Sequence, residues 1–382
     1  MLKIVADVNT PLISSAFRGV GELSLLETGS FCPAAIAQAD ALVVRSETKV
    51  DESLLRGSPV RFVGTVTIGT DHVDTGYLRS KGIGFASAPG SNANSVKEYV
   101  LAALLAVGER LGLPLQGVTI GVVGVGNIGS RVAALAEALG MRVLLNDPPL
   151  ARATGDPKYL ALDALMEADI LTLHVPLTDS GPDPTYHLFG PERISLMKNG
   201  AVLVNTSRGA VVDGSALLAA LEQHRLAACV LDVWEHEPRI DRALLRRVSL
   251  ATPHIAGYSL DGKINAVKAI REALCNYFGM AVPWDPWSEI AAPPDSTLVP
   301  PPGATSWEET LRSLVPKCYD ILEDDRNLRA AAQANGESSG REFSRLRKQY
   351  RVRREFHNYR VPSAGIGEQA ARILSAVEFR LE

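Results

Sequence analysis

Three residues whose types could carry out an alcohol oxidation follow one another in the middle of the chain, each just beyond a short apolar run. Arg208 follows Val204-Asn-Thr-Ser, Glu237 follows Val233-Trp-Glu-His, and His254 follows Ala251-Thr-Pro. Turning an alcohol into a ketone removes a hydride and a proton. An imidazole, whose ordinary pKa lies near neutrality, suits the proton. A carboxylate on the other ring nitrogen would fix the tautomer and favour the imidazolium that forms. A guanidinium offers a planar fork that can clamp a substrate carboxylate and polarise the carbonyl forming beside it. Singly, each position has a plainer reading: Arg208 as a loop residue, Glu237 as a turn former before Pro238, His254 as a satisfied loop imidazole. Together they make up the set that hydride transfer requires. Asp232 ends its own apolar run, where it could hold the hydride acceptor. His236, between two glutamates, is expected to face solvent, and His72, in Gly69-Thr-Asp-His-Val-Asp74, to be structural.

The acceptor is indicated upstream. The apolar run Val118 to Val123 leads into Gly124-Val-Gly-Asn-Ile-Gly129, and an alanine- and leucine-rich run, Arg131 to Leu139, follows. That order, strand then glycine turn then helix, is what a dinucleotide pyrophosphate needs. Gly124 permits the tight turn, Gly126 lets the backbone approach the phosphates, and Gly129 lets helix and strand pack closely. The helix then directs its free N–H groups and positive dipole end at the pyrophosphate. A second apolar run, Arg142 to Leu145, ends in Asn146-Asp147. Asp147 stands roughly 20 residues on, where an acidic side chain accepts hydrogen bonds from the adenosine ribose. A carboxylate there repels a 2′-phosphate, so NAD is expected rather than NADP.

These sites need elements to position them. With 382 residues the chain should hold two or three domains, and 46% hydrophobic with 21% charged residues is the composition of a globular protein with ample core. A net charge of −4 gives no reason to expect a nucleic acid or an anionic membrane as partner. Cys32, Cys229, Cys275 and Cys318 are scattered, without metal spacing, and read as reduced thiols; no metal site is expected. The opening residues read as a first strand, not a signal segment, and no run reaches membrane-spanning length, so a cytoplasmic protein is expected.

Strands are expected at Leu2 to Val8, Ala41 to Val44, Arg61 to Val66 and Gly82 to Ala86, with helical material between the first two. Strands alternating with helices predict a parallel α/β domain over residues 1–93, completed by 258–282, where a helix from Leu260 to Tyr277 returns the chain. Ser46 and Thr67 fall just beyond two of its strands, where ligands of open sheets collect. Their hydroxyls suit an anionic substrate, and helix capping is an equal alternative. Residues 94–257 form the dinucleotide domain, with a long helix at Val96 to Val107 and further strands at Ile170 to Val175, Ala201 to Asn205, Cys229 to Val233 and Leu250-Ala251. Residues 283–303, rich in proline, read as a stiff linker. Residues 304–382 read as a third, small domain. Ser306 and Glu309 have capping-box spacing there, Leu311, Leu314, Val315, Cys318 and Leu322 share one helix face, and Pro316 should kink that helix. The basic run Arg341, Arg345, Arg347, Lys348, Arg351, Arg353 and Arg354 reads as a solvated face, with a partner subunit's anionic site as the sharper alternative.

The Gly69-Thr-Asp-His-Val-Asp segment, the glycine motif, Asn205-Thr-Ser-Arg-Gly-Ala, Leu231-Asp-Val-Trp-Glu-His-Glu-Pro and Pro253-His254 together resemble the D-isomer-specific 2-hydroxyacid dehydrogenases over roughly residues 1–280. The resemblance implies that Arg208, Glu237 and His254 are the catalytic set. It implies a Rossmann domain beside a flavodoxin-like substrate domain. Further segments narrow it: Val43-Val-Arg-Ser-Glu-Thr-Lys-Val, Phe62-Val-Gly-Thr-Val-Thr, Ala88-Pro-Gly-Ser-Asn, Leu145-Asn-Asp-Pro-Pro and His254-Ile-Ala-Gly-Tyr-Ser-Leu-Asp-Gly-Lys. With the tail, they resemble a branch that carries a small α+β C-terminal dimerisation domain. That branch implies a homodimer, a phosphorylated 2-hydroxy acid as substrate, and oxidation of 4-phospho-D-erythronate on the route to pyridoxal phosphate. By the same matching, Ser46, Thr67 and Tyr258 would contact substrate. Gly124, Gly126, Asn127, Ile128, Gly129, Asp147, Val175, Thr206, Ser207, Asp232 and Gly257 would contact NAD. Val175, Ser91 and Thr206-Ser207 stand where Thr, Cys and Ala-Cys are usual. Two alternatives remain: another D-2-hydroxy acid such as 3-phosphoglycerate, or a binding module that senses NAD(H) without turnover, since fold does not fix function.

Overall fold

A computed structural model describes residues 1–304, 306–333 and 337–382, which divide into two compact units: Met1–Asn92 with Tyr258–Ala292, and Ala93–Gly257 with Pro293–Glu382. Both are built on parallel sheets, because apolar runs with side chains buried on both faces need helices on each side.

In the first unit, β1 (Lys3–Asp7), β2 (Glu22–Leu26), β3 (Ala41–Val44), β4 (Phe62–Thr65) and β5 (Gly84–Ala86) lie in the order β2-β1-β3-β4-β5, all parallel. This is the flavodoxin-like order. Alternate residues point to opposite faces. Ile4, Ala6, Ala41 and Val43 pack with Ile270 and Leu274 on one side, and Val5, Leu42 and Val44 with Leu54 and Leu78 on the other. The helix Leu260–Tyr277 covers the first face and starts at Ser259, whose hydroxyl accepts the Gly262 N–H at 2.8 Å. The segment read as helical between the first two expected strands holds the short helix Ile13–Ala16 and also β2, an edge strand, mostly exposed, held by pairing to β1.

In the second unit, β6 (Thr119–Val123), β7 (Arg142–Asn146), β8 (Ile170–Leu173), β9 (Ala201–Asn205), β10 (Leu226–Leu231) and β11 (Leu250–Ala251) form a parallel sheet in the order β11-β10-β9-β8-β6-β7. A bridge from Leu145 to Tyr159 continues it past β7. Chain order reverses between β6 and β8, the switch point at which α/β sheets bind ligands. The helix Ala93–Leu111 is buried along most of its length, and Gly129–Ala138 follows the glycine loop.

The C-terminal residues fold as the helices Trp307–Cys318, Ile321–Ala331, Glu337–Lys348 and Glu368–Ala376 with a parallel pair, β12 (Arg360–Val361) and β13 (Arg380–Leu381). Ser306 caps the first of these helices, accepting the Glu309 N–H at 3.1 Å, and Leu311, Leu314 and Val315 are buried. That helix ends at Cys318, two residues after Pro316, so Leu322 belongs to the next helix and is 43% exposed rather than sharing the buried face. The basic run divides. Arg345 stays on an exposed helix face, whereas Arg353 and Arg354, in extended chain beyond it, are buried. Residues 283–303 hold a short 3-10 helix at Pro286–Glu289 and turns at Pro294-Asp295 and Pro302-Gly303, and Leu298 donates its N–H to the Arg360 carbonyl at 2.8 Å. No helix among the described residues is long and apolar enough to cross a membrane.

Candidate active site

The glycine loop sits at the switch point. Gly124 has φ +86°, and a Cβ there would lie 2.6 Å from the His174 carbonyl oxygen. A Cβ on Gly129 would lie 1.9 Å from the Gly124 carbonyl oxygen, so the helix can begin this close to β6 only with glycine. Gly126 meets nothing within 4 Å, and with Asn127 it presents exposed backbone beside the helix N-terminus. Ile128 is the last residue before that helix. Asp147, at the end of β7, accepts from Val125 N at 2.8 Å and from Leu150 N at 3.0 Å, tying the two strand ends together. Open backbone amides, a helix start and a neighbouring carboxylate fit a dinucleotide. Gly129→Ala is expected to cost about 1–3 kcal/mol through overpacking and to weaken NADH binding, measured by thermal melting and fluorescence titration. Unchanged affinity would remove the loop from cofactor binding.

Beyond β8 and β9, Val175 packs next to Gly124, and Thr206 reaches His174, its hydroxyl 3.2 Å from Nδ1. His174 Nε2 pairs with the Thr172 hydroxyl at 2.9 Å. Desolvation pushes the His174 pKa from 6.5 down to about 3, so the ring stays neutral. In the unfolded chain it would take up a proton near 6.5. Between pH 6.5 and 3 the unfolded state therefore binds more protons, and His174 makes stability fall as pH falls through that window. His174→Gln should flatten the melting temperature against pH there; an unchanged slope would show that His174 titrates alike in both states.

Asn205 shapes the turn that carries Arg208. Its Oδ1 accepts from Ser207 N at 3.0 Å and from Ser207 Oγ at 2.7 Å, and its Nδ2 donates to the Arg208 carbonyl at 3.0 Å. A Cβ on Gly209 would fall 1.9 Å from the Trp234 carbonyl carbon, so this turn lies directly against the Trp234–Glu237 loop. There Glu237 Oε1 accepts from Trp234 N at 2.8 Å, and Oε2 pairs with His254 Nδ1 at 2.8 Å. Burial by itself raises the Glu237 pKa, but the bond and charge of His254, the Trp234 N–H and the charge of Arg347 bring it below the ordinary carboxylate value. Glu237 is thus ionised, Nδ1–H donates to it, and His254 Nε2 is left as the proton acceptor.

His254 adopts φ +57°, unusual for a side chain of this size, and its loop is heavily tied down. His254 N donates to the Asp232 carbonyl at 2.7 Å. The Asp232 carboxylate, 1% exposed, accepts from Thr252 Oγ1 at 2.6 Å, Ile255 N at 2.8 Å and Ala256 N at 3.0 Å. Tyr99 Oη donates to Thr252 Oγ1 at 2.7 Å, and Trp234 Nε1 to the Thr252 carbonyl at 2.9 Å. Asp232 therefore holds the loop that ends at Gly257. His236 is exposed.

Ser46, Thr67 and Tyr258 belong to the first unit. Ser46 is exposed beyond β3 and Thr67 stands beyond the neighbouring β4. Neither caps a helix: the short helices that follow are capped by Asp51 and Asp74. Thr67 Oγ1 donates to the Gly69 carbonyl at 2.8 Å and pairs with Thr65, which pairs with His72 Nε2 at 2.9 Å. Lys263 Nζ lies 4.6 Å from the Tyr258 ring centre. Sequence reasoning missed the supporting residues Tyr99, His174, Asn205 and Thr252. Only Asn205 had a signal, its place in the Asn205-Thr-Ser-Arg run. Among the described residues no group of His, Cys, Asp or Glu could hold a metal ion.

Residues 95–256 match the D-isomer specific 2-hydroxyacid dehydrogenase, NAD binding domain family, and residues 297–377 a domain family of unknown function. Over its full length the chain is 45% identical to erythronate-4-phosphate dehydrogenase of Salinibacter ruber, covering 99% of that protein. It is 42% identical to the enzyme of the same name from Marinobacter nauticus, with 99% of each chain covered. Among solved structures, a Thermus thermophilus protein matches 73% of this chain and 98% of its own, at 31% identity and TM-score 0.63. The D-lactate dehydrogenase of Aquifex aeolicus, complexed with NAD and lactic acid, matches 72% of this chain and 95% of its own, at 27% identity and TM-score 0.59.

Proposed function

Since this chain belongs to the erythronate-4-phosphate dehydrogenases, within the D-isomer-specific 2-hydroxyacid dehydrogenases, we propose that it oxidises 4-phospho-D-erythronate at C2 on the route to pyridoxal phosphate. It is an NAD-dependent dehydrogenase. The observation that carries the chemistry is the His254–Glu237 pair, at 2.8 Å, with Glu237 on the loop against which the Arg208 turn is packed.

NAD supplies the hydride acceptor. Gly124, Gly126, Asn127, Ile128 and Gly129 would hold its pyrophosphate, Asp147 its adenosine ribose, and Val175, Thr206, Ser207 and Gly257 would make further contacts with it, Asp232 acting through the loop that it holds. His254 Nε2 removes the proton of the C2 hydroxyl as the C2 hydride leaves, giving the 2-oxo acid. Glu237 stabilises the imidazolium that results, and Arg208 clamps the C1 carboxylate and the developing carbonyl. Ser46, Thr67 and Tyr258 bind the substrate. The protein works in the cytoplasm as a homodimer joined through residues 304–382.

A panel of 4-phospho-D-erythronate, 3-phosphoglycerate and D-lactate tests this, with NADH followed by absorbance and a 2-oxo acid acceptor in a parallel set. Preference for the first acid is expected. Preference for another keeps the mechanism and discards the substrate, and silence on all three favours a binding module. Sedimentation should give twice the chain mass; a monomer at assay concentration would remove the dimer.

A further inference from the structure

The buried part of the basic run is unused by the chemistry above. Arg353 is 2% exposed, although its segment lies about a hundred residues after the loop it touches. Its Nη2 donates to two carbonyls, Ser95 at 2.9 Å and Ala256 at 3.2 Å, and its guanidinium lies 4.2 Å from the Tyr319 ring centre. Those carbonyls have a topological distinction. The chain passes between its two units three times, at Asn92–Ala93, at Gly257–Tyr258 and at Ala292–Pro293. Ser95 stands just after the first passage and Ala256 just before the second.

The neighbouring residues grip the same place. Glu355 accepts from Ser95 Oγ at 2.7 Å and from Asn94 Nδ2 at 3.0 Å. Phe356 N donates to Glu98 Oε1 at 2.7 Å, and Lys97 pairs with Glu378 at 3.0 Å. The opening turns of the helix Ala93–Leu111 are thus fastened to C-terminal chain by four separate side chains. Burying a guanidinium with Nε and Nη1 left without hydrogen-bond partners is costly, and simple packing would not require it.

We infer that Arg353 is a positioning residue: it staples the first two of these passages together on the side of the second unit and fixes the carbonyl two residues after His254. The Asp232 carboxylate holds the N–H side of the Ile255-Ala256 peptides, and Arg353 holds the carbonyl side. The imidazole is thereby aimed by a residue of the C-terminal chain through the backbone of its loop. This inference rests on the assignment of His254 as the base.

Arg353→Met and Arg353→Lys are the test, in the full-length enzyme. A displacement of the order of an ångström is expected to lower kcat about 100-fold in the Met variant, with partial recovery in the Lys variant. Titration with NADH should be little changed. Deuterium uptake should rise at residues 93–98 and 254–257 and stay unchanged at the loop 124–129. Wild-type kcat and uptake in a folded Arg353→Met protein would overturn the inference, as would lost NADH binding with uptake unchanged in both segments. If neither variant folds, exchange in the unmodified protein decides: residues 254–257 and 353–356 should open together, and independent opening would refute the staple. The exchange readout stands even if the enzyme rejects every hydroxy acid.

Discussion

His254→Ala will lower kcat by roughly 100- to 10,000-fold, the range of a general acid–base residue, and will leave NADH binding nearly intact. The expectation follows from the geometry of one side chain. Nδ1 is committed to Glu237 at 2.8 Å, so only Nε2 can meet substrate, while the loop's backbone is held by Asp232 independently of the imidazole. Deleting the ring therefore removes the base without releasing the loop. The measurement is steady-state turnover beside a fluorescence titration with NADH. Loss of NADH affinity together with activity would make His254 a cofactor ligand, and retained turnover would remove it from the mechanism. Glu237→Gln should act in the same direction, because an amide cannot stabilise the imidazolium that proton removal creates.

Arg208→Lys should lower kcat/KM by about 100- to 1,000-fold, the usual cost of losing a preorganised donor to a developing negative charge. An ammonium keeps the charge but cannot reproduce the fork across a carboxylate and its neighbouring carbonyl. The turn that presents Arg208 is built by Asn205 and by the close approach at Gly209, and Arg208 Nη1 adds one bond to the Ser207 carbonyl at 2.9 Å, which a lysine amine can also donate. The variant should accordingly melt at nearly the wild-type temperature. Turnover close to wild type would exclude a bidentate role for Arg208. A large loss of stability would mean that the side chain is structural.

What the sequence determined by itself was local. A glycine motif between an apolar run and a helical one, and an acidic residue at the next strand end, describe a dinucleotide loop whose geometry is set within about thirty residues. The places of Arg208, Glu237 and His254 were legible for the same reason: each follows an apolar run that reads as a buried strand, and the structure has β9, β10 and β11 there, all parallel. Edge strand β2 was not legible, because a mostly exposed strand carries little hydrophobic pattern and owes its existence to pairing with β1.

The tertiary structure decided the matters that depend on residues distant in sequence. Asp232 reads as a cofactor contact in the sequence, yet its carboxylate is engaged by three groups of the His254 loop. His174 and Thr206, 32 residues apart, meet behind the glycine loop. The basic run looks like a solvated face because charge patterns report only the cost of burial, not the partners that can offset it. Arg353 finds those partners, the Ser95 and Ala256 carbonyls and the Tyr319 ring, only when the C-terminal segment folds back along the start of the helix Ala93–Leu111. Strand ends follow from the pattern of a chain read in order; the contacts that hold their loops still come from long-range closure, which no spacing along the sequence records.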